Sequence, residues 1–84
     1  MVTILFYTRA GCHLCEVAEK TLRHAQAELG FAVTVVDIDS DPTLRALYND
    51  DVPVTLLPNG RRFRNFLDPI ELRRQLSLLK THQA

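Results

Sequence analysis

Two cysteines, Cys12 and Cys15, are the chain's only thiols, and just His13 and Leu14 separate them. Thiols at this spacing serve redox exchange, a structural bridge or part of a metal site, and their surroundings distinguish these uses. The pair follows an apolar run from Val2 to Phe6 and the turn Thr8-Arg9-Ala10-Gly11, and it precedes a helical pattern that begins near Leu14. Strand, tight glycine turn and Cys-x-x-Cys at a helix start is the redox form of the motif. Gly11 can take the backbone angles that swing a strand end into a helix. Cys12 then falls at the helix mouth, where unpaired N–H groups and the positive end of the helix dipole favour a thiolate. Arg9, three residues earlier, can add a full positive charge. Both effects lower a thiol pKa, and the thiolate is the reactive form. Cys15 lies one turn along the helix, within disulfide reach of a Cys12 at the cap. The pattern reads as a thiol–disulfide exchange site.

Three plainer readings compete with it. As a staple, the pair closes so short a loop that the stabilisation would be only roughly 2 kcal/mol. A zinc site needs four ligands, and only His13, His24 and His82 could join the cysteines. His13 shares their turn and cannot easily point at the same ion, while His82 is almost at the C-terminus. Two inert buried thiols would leave the glycine turn and Arg9 without a purpose.

The elements that must position this pair can be read in order. Val2 to Tyr7 is a nearly continuous apolar, β-branched run, suited to a strand buried on both faces. Leu14, Ala18, Leu22, Ala25 and Leu29 recur at helical spacing opposite Glu16, Glu19, Lys20, Arg23 and Gln26, and Gly30 stops the pattern. His24 falls on the polar side. Phe31 to Ile38 returns to strand character, so strand, helix and strand form a right-handed β-α-β unit. Asp41 and Pro42 cap and open a second helix with Leu44, Leu47 and Tyr48 for the core. The acids Asp37, Asp39 and Asp41 lack the glycine-bearing pattern of a calcium loop and are read as structural. Val52 to Leu57 is a strand entered through Pro53; Pro58-Asn59-Gly60 is a hairpin turn, and Arg61 to Phe66 the return strand. Phe63 is expected in the core, with Phe66 packed near the strand's end. Asp68, Pro69 and Glu71 form a capping box, and Leu72, Leu76 and Leu79 a buried stripe on the last helix. The arginines at 61, 62, 64, 73 and 74 read as a solvated face rather than an anion-binding patch.

Composition sets the outer bounds. Eighty-four residues give one domain over 1–84, with room for one core. Ten basic and ten acidic residues balance, so the whole-chain charge points to neither nucleic acid nor membrane. No apolar run approaches the ~20 residues of a membrane helix. No signal-peptide pattern opens the chain, and two such close cysteines do not make a disulfide scaffold. A reducing cytoplasm and a monomer are expected.

The order β-α-β-α-β-β-α, with the cysteines between the first strand and helix, resembles a glutaredoxin-like member of the thioredoxin-fold superfamily. Phe6 to Glu16, Asp37 to Pro42 and Asp51-Val52-Pro53-Val54 carry the likeness, which spans nearly the whole chain. The resemblance implies an α/β fold, a central four-stranded mixed sheet with helices on both faces. It also implies a cis Val52-Pro53 bond beside the cysteines. Cys12 would be the attacking thiolate and Cys15 the resolving thiol. Leu14, Val52 and Pro53 would border the substrate, with the Val52 backbone pairing to it like an added strand. A protonated His13 would stabilise the thiolate; equally, His13 is a solvent-facing residue of the first helical turn.

The chain also departs from the pattern. Glutathione-using glutaredoxins carry Cys-Pro-Tyr-Cys, Thr before Val-Pro, and a Gly-Gly pair before the last helix. Here those places hold His13-Leu14, Asp51 and Asn65-Phe66-Leu67-Asp68. Bulk at Phe66 and Leu67, with the charge of Asp51, argues against glutathione as co-substrate, although Asp68 marks a helix end that could receive its carboxylate. The thioredoxin tryptophan and buried acid are missing as well. No tightly bound cofactor or metal is expected. The partners would be a disulfide-bearing protein or small-molecule substrate and a thioredoxin- or glutathione-type reductant. The second hypothesis is a non-enzymatic module that binds an extended peptide along the Val52-Pro53 edge.

Overall fold

Each element begins and ends where local backbone chemistry requires. In the computed structural model, which describes residues 2–83 with side chains over 2–79, the first strand β1 spans Thr3–Thr8 and the first helix α1 spans His13–Leu29. Gly30 closes α1 in the left-handed region at φ 69°, its N–H donating to the Gln26 carbonyl at 2.9 Å. Strand β2, Ala32–Asp37, is shorter than the apolar run implied, because Ile38 opens a 3₁₀ turn to Ser40. Helix α2, Pro42–Tyr48, is capped by Asp41, whose carboxylate accepts from the Thr43 N–H at 2.8 Å. Strands β3, Val54–Leu56, and β4, Arg62–Arg64, flank the Pro58-Asn59-Gly60 turn, and α3 runs Pro69–Gln83. Asp68 caps α3 by accepting from the Ile70 and Glu71 N–H groups at 3.0 and 3.5 Å. The reciprocal half of the expected capping box is not made. Glu71 turns its carboxylate to Arg74 and Gln75 instead.

The strands lie in the order β2-β1-β3-β4. β1 pairs parallel with β2 and antiparallel with β3, and β4 pairs antiparallel with β3. Side chains alternate across β1. Ile4 and Phe6 enter the main core with Ala18, Leu22 and Ala25 of α1 and Leu72, Leu76 and Leu79 of α3. On the other face Tyr7 meets Tyr48 of α2, their ring centroids 4.8 Å apart. Helices therefore cover both sides of a mixed four-stranded sheet.

Three side chains depart from the sequence reading, and a fourth, Val35, lies exposed within an apolar run. Leu14 is 55% exposed: it lies in the first turn of α1, at the margin of the inward stripe of Cys15, Ala18, Leu22 and Ala25, where the helix reaches past the core. Leu47 is 61% exposed: seven-residue α2 lies at the margin and offers only Leu44 and Tyr48, one turn apart, to the interior. Val35 is exposed because β2 is an edge strand, and an apolar run alone does not separate one covered face from two. Phe66 is 69% exposed, since Asn65 at φ 65° turns the chain so that Leu67 takes the inward position.

Candidate active site

A second, smaller cluster sits beside the main core. Cys15, Ile38 and Val52 are buried in it, and Tyr7, Cys12, Leu44 and Tyr48 pack against them. Gly11 makes the turn into α1 at φ 74°, a conformation that L side chains adopt rarely. Cys12 is the N-cap of α1. Its Sγ accepts from the Cys15 N–H at 3.1 Å, and its carbonyl receives the Glu16 N–H at 3.1 Å. The two cysteines are joined as a disulfide across a Cα–Cα distance of 5.2 Å. They are not equivalent: Cys15 is 2% exposed, whereas Cys12 is half-buried. His13 and Leu14 face outward between them.

Arg9 does not stand as a free cation beside Cys12. Its guanidinium holds both carboxylate oxygens of Asp39, at 3.0 and 2.9 Å, and donates to the Asn49 side-chain oxygen at 2.9 Å and its carbonyl at 3.4 Å. The bond from Arg9 holds the Asp39 carboxyl below its ordinary pKa, and the same bond raises that of Arg9. The positive charge expected near the thiolate is thus largely balanced by Asp39, and Arg9 ties the end of β1 to the 3₁₀ turn and the end of α2. Parallel pairing contained the signal. Thr8 lies opposite Asp37, so residues just past each strand end must be neighbours. The acidic cluster has structural duties throughout: Asp37 accepts from the Asp39 N–H at 2.9 Å, and Asp41 caps α2. Among the described residues, no group of three or more acids, histidines or cysteines is placed to hold a metal. His24 stands exposed near Glu28, and the side chain of His82 lies outside the described residues.

Val52 and Pro53 are buried, and the peptide bond between them is cis. The Val52 N–H donates to the Tyr48 carbonyl at 3.2 Å, so an added strand would find the Val52 donor already used. The Asn65 N–H reaches back to the carbonyls of Asp51, at 3.2 Å, and Pro53, at 2.8 Å, anchoring the loop before α3 to this segment. Asp68 stands at the start of α3. It lines a hollow with Phe66 and the hairpin arginines, and its carboxylate occupies N–H donors that an incoming carboxylate would need. Phe66, expected to pack near the strand's end, is exposed instead, because two bulky residues after Asn65 cannot both turn inward.

This sheet order, with a half-exposed cysteine capping the first helix and a buried partner one turn on, is that of the thioredoxin fold. The chain belongs to the glutaredoxin-like domain family (DUF836), whose sequence profile matches residues 3–77. It is similar to the crystal structure of a structural-genomics target protein from X. campestris, at 39% identity and TM-score 0.73, over 89% of this chain and 96% of that one. A solution structure of a Nitrosomonas europaea protein is also 39% identical, with TM-score 0.67, over 80% and 81% of the respective chains. A malaria-parasite thioredoxin-2 shares the fold at 21% identity and TM-score 0.73, over 98% of this chain and 84% of that one. No curated protein matches the sequence. No helix among the described residues is long and apolar enough to cross a membrane.

Proposed function

We propose that the protein is a dithiol–disulfide oxidoreductase in which Cys12 attacks and Cys15 resolves. The unequal burial of the two cysteines carries this reading: Cys12 is half-buried at the helix mouth, whereas Cys15, 2% exposed, is shielded from an incoming substrate. In the reduced protein the Cys15 N–H and the other free donors of the first turn of α1 favour a Cys12 thiolate. That thiolate attacks one sulfur of a substrate disulfide. A Cys12–substrate bond forms, the substrate S–S bond breaks, and the other substrate sulfur leaves as a thiolate that takes a proton from solvent. Cys15, deprotonated, then attacks Cys12 Sγ and releases the second substrate thiol. The substrate has gained two electrons and the protein holds the Cys12–Cys15 disulfide. A thioredoxin- or glutathione-type thiol returns the electrons by the reverse exchange. A protonated His13 would add positive charge beside the thiolate, and Leu14, Val52 and Pro53 would border the incoming sulfur.

Two features weigh against glutathione as the co-substrate, though not against its class of thiol as reductant: the bulky Phe66, 69% exposed just before α3, and Asp68, which caps α3 with its own carboxylate. The reading as a pure peptide-binding module is weakened by the Val52 N–H, which Tyr48 already holds.

Cys15→Ser should trap a mixed disulfide at Cys12 with a disulfide substrate, visible as a mass adduct that dithiothreitol removes. Cys12→Ser should trap none and should lose turnover. Equal trapping by both variants, or by neither, would remove the assignment.

A further inference from the structure

The surface beside the cysteines narrows the substrate class, given the exchange chemistry proposed for them. Leu14 stands between the two cysteines, and Val17 lies one turn along the same exposed face of α1. Phe66 meets both across a shallow hollow of about 30 Å³, with Ala18 and Leu67 among its lining. The exposure of Phe66 is built into the backbone. Asn65 makes two bonds to the Asp51 and Pro53 carbonyls, and the Phe66 N–H donates to the Arg64 carbonyl at 2.7 Å. An aromatic ring that faces water across a hollow from Leu14, the residue between the two cysteines, marks a partner surface.

Phe66 also borders a second, wider hollow of about 480 Å³, lined by Arg61, Arg62 and Arg64. The acids there are engaged: Asp68 caps α3, Arg74 and Gln75 hold Glu71, and Asp51 lies 3.9 Å from Arg64. Arg61 lies over the Phe63 ring at 4.4 Å and donates to the Arg62 carbonyl at 2.7 Å. Neither Arg61 nor Arg62 forms an ion pair among the described residues. The chain as a whole is neutral, so this excess of positive charge is local.

We infer that the preferred substrate is a polypeptide with an apolar side chain next to its disulfide and carboxylates a few residues away. The apolar side chain docks on Leu14, Val17 and Phe66 while the carboxylates meet Arg61 and Arg62. Opposite charge of this kind raises the encounter rate and selects against basic partners. The two hollows share Phe66 as a common wall, so a single extended segment can occupy both.

The test uses Cys15→Ser protein and peptides whose one cysteine is disulfide-bonded to 2-nitro-5-thiobenzoate. Cys12 forms a disulfide with the peptide sulfur and expels the coloured thiolate, which reports the rate. One peptide places Leu and Phe beside the cysteine and Asp and Glu beyond. The second carries Lys in place of the acids, and the third Gly and Ser throughout. The first should react about tenfold faster than either other, an advantage that added salt reduces. Phe66→Ser should lower the rate ratio of that peptide to the small symmetric disulfide of the same thiol by about tenfold. Reversing Arg61 and Arg62 to Glu should turn the preference toward the Lys peptide, and Leu47→Ser, on α2, should change neither ratio. Equal rates for the acidic and Lys peptides, or an unchanged ratio in Phe66→Ser, would overturn the docking inference while the exchange chemistry stood. No reaction even with the small disulfide would remove the exchange reading, and this inference with it.

Discussion

The Arg9–Asp39 pair decides how much of the Arg9 charge is left to act on neighbouring groups. A guanidinium held by two bonds to one carboxylate acts at a distance as a weak dipole rather than a cation. Asp39→Asn should therefore leave Arg9 with an unbalanced charge and lower the Cys12 pKa. Alkylation by iodoacetamide, followed against pH in the reduced protein, should show its midpoint moved to lower pH. An unmoved midpoint would mean that the pair has no part in setting the thiolate, and a raised one would contradict the expected sign. Cysteine spacing, the glycine before it and the helix start were all legible from residue types. The partner of Arg9 was not, because it lies thirty residues away and only the β1–β2 register brings it near.

At the scale of elements, α3 depends on charge at its first turn. The Arg74 guanidinium, and then the Gln75 amide, hold the Glu71 carboxyl down at about 2 from an ordinary 4.5. A depressed carboxyl contributes stability above its unfolded pKa and loses it on acidification. Glu71→Gln should therefore be less stable than wild type at neutral pH. The gap should narrow as pH falls from about 4.5 and close near about 2, as read from urea midpoints at each pH. A gap independent of pH would assign the effect to packing. Element types were legible because capping and turn residues act locally: Asp41-Pro42, Asp68-Pro69, Gly30 and Pro58-Asn59-Gly60 all fall where they are used. Which side of an element is covered was less so. Leu47 and Val35 satisfy an apolar pattern on elements at the margin, where no neighbour stands over them. Phe66 and Leu67 compete for one inward place, and the φ of Asn65, which no periodicity reveals, decides it.

Across the whole molecule, apolar burial is divided unequally. The main core joins β1, α1, the β-hairpin and α3, whereas the cluster around Cys15 is small and bordered by half-buried Leu44 and Tyr48. Leu22→Ala in the main core should cost about 2–5 kcal/mol. Leu44→Ala should cost less, about 1 kcal/mol, because a half-buried side chain loses less contact on truncation. Chemical denaturation of both variants checks the order, and a reversed order would show that the smaller cluster governs folding.

This division has an evolutionary corollary. Both cysteines belong to the minor cluster, Cys15 buried within it and Cys12 packed against it, so changes there reach the sulfur pair before they reach the main core. Under the proposed exchange function, replacements at Leu44 or Tyr48 would act on the sulfur pair while the larger apolar body keeps the chain folded. Sulfur chemistry, on that reading, and thermal endurance would then be separately adjustable traits in one small protein.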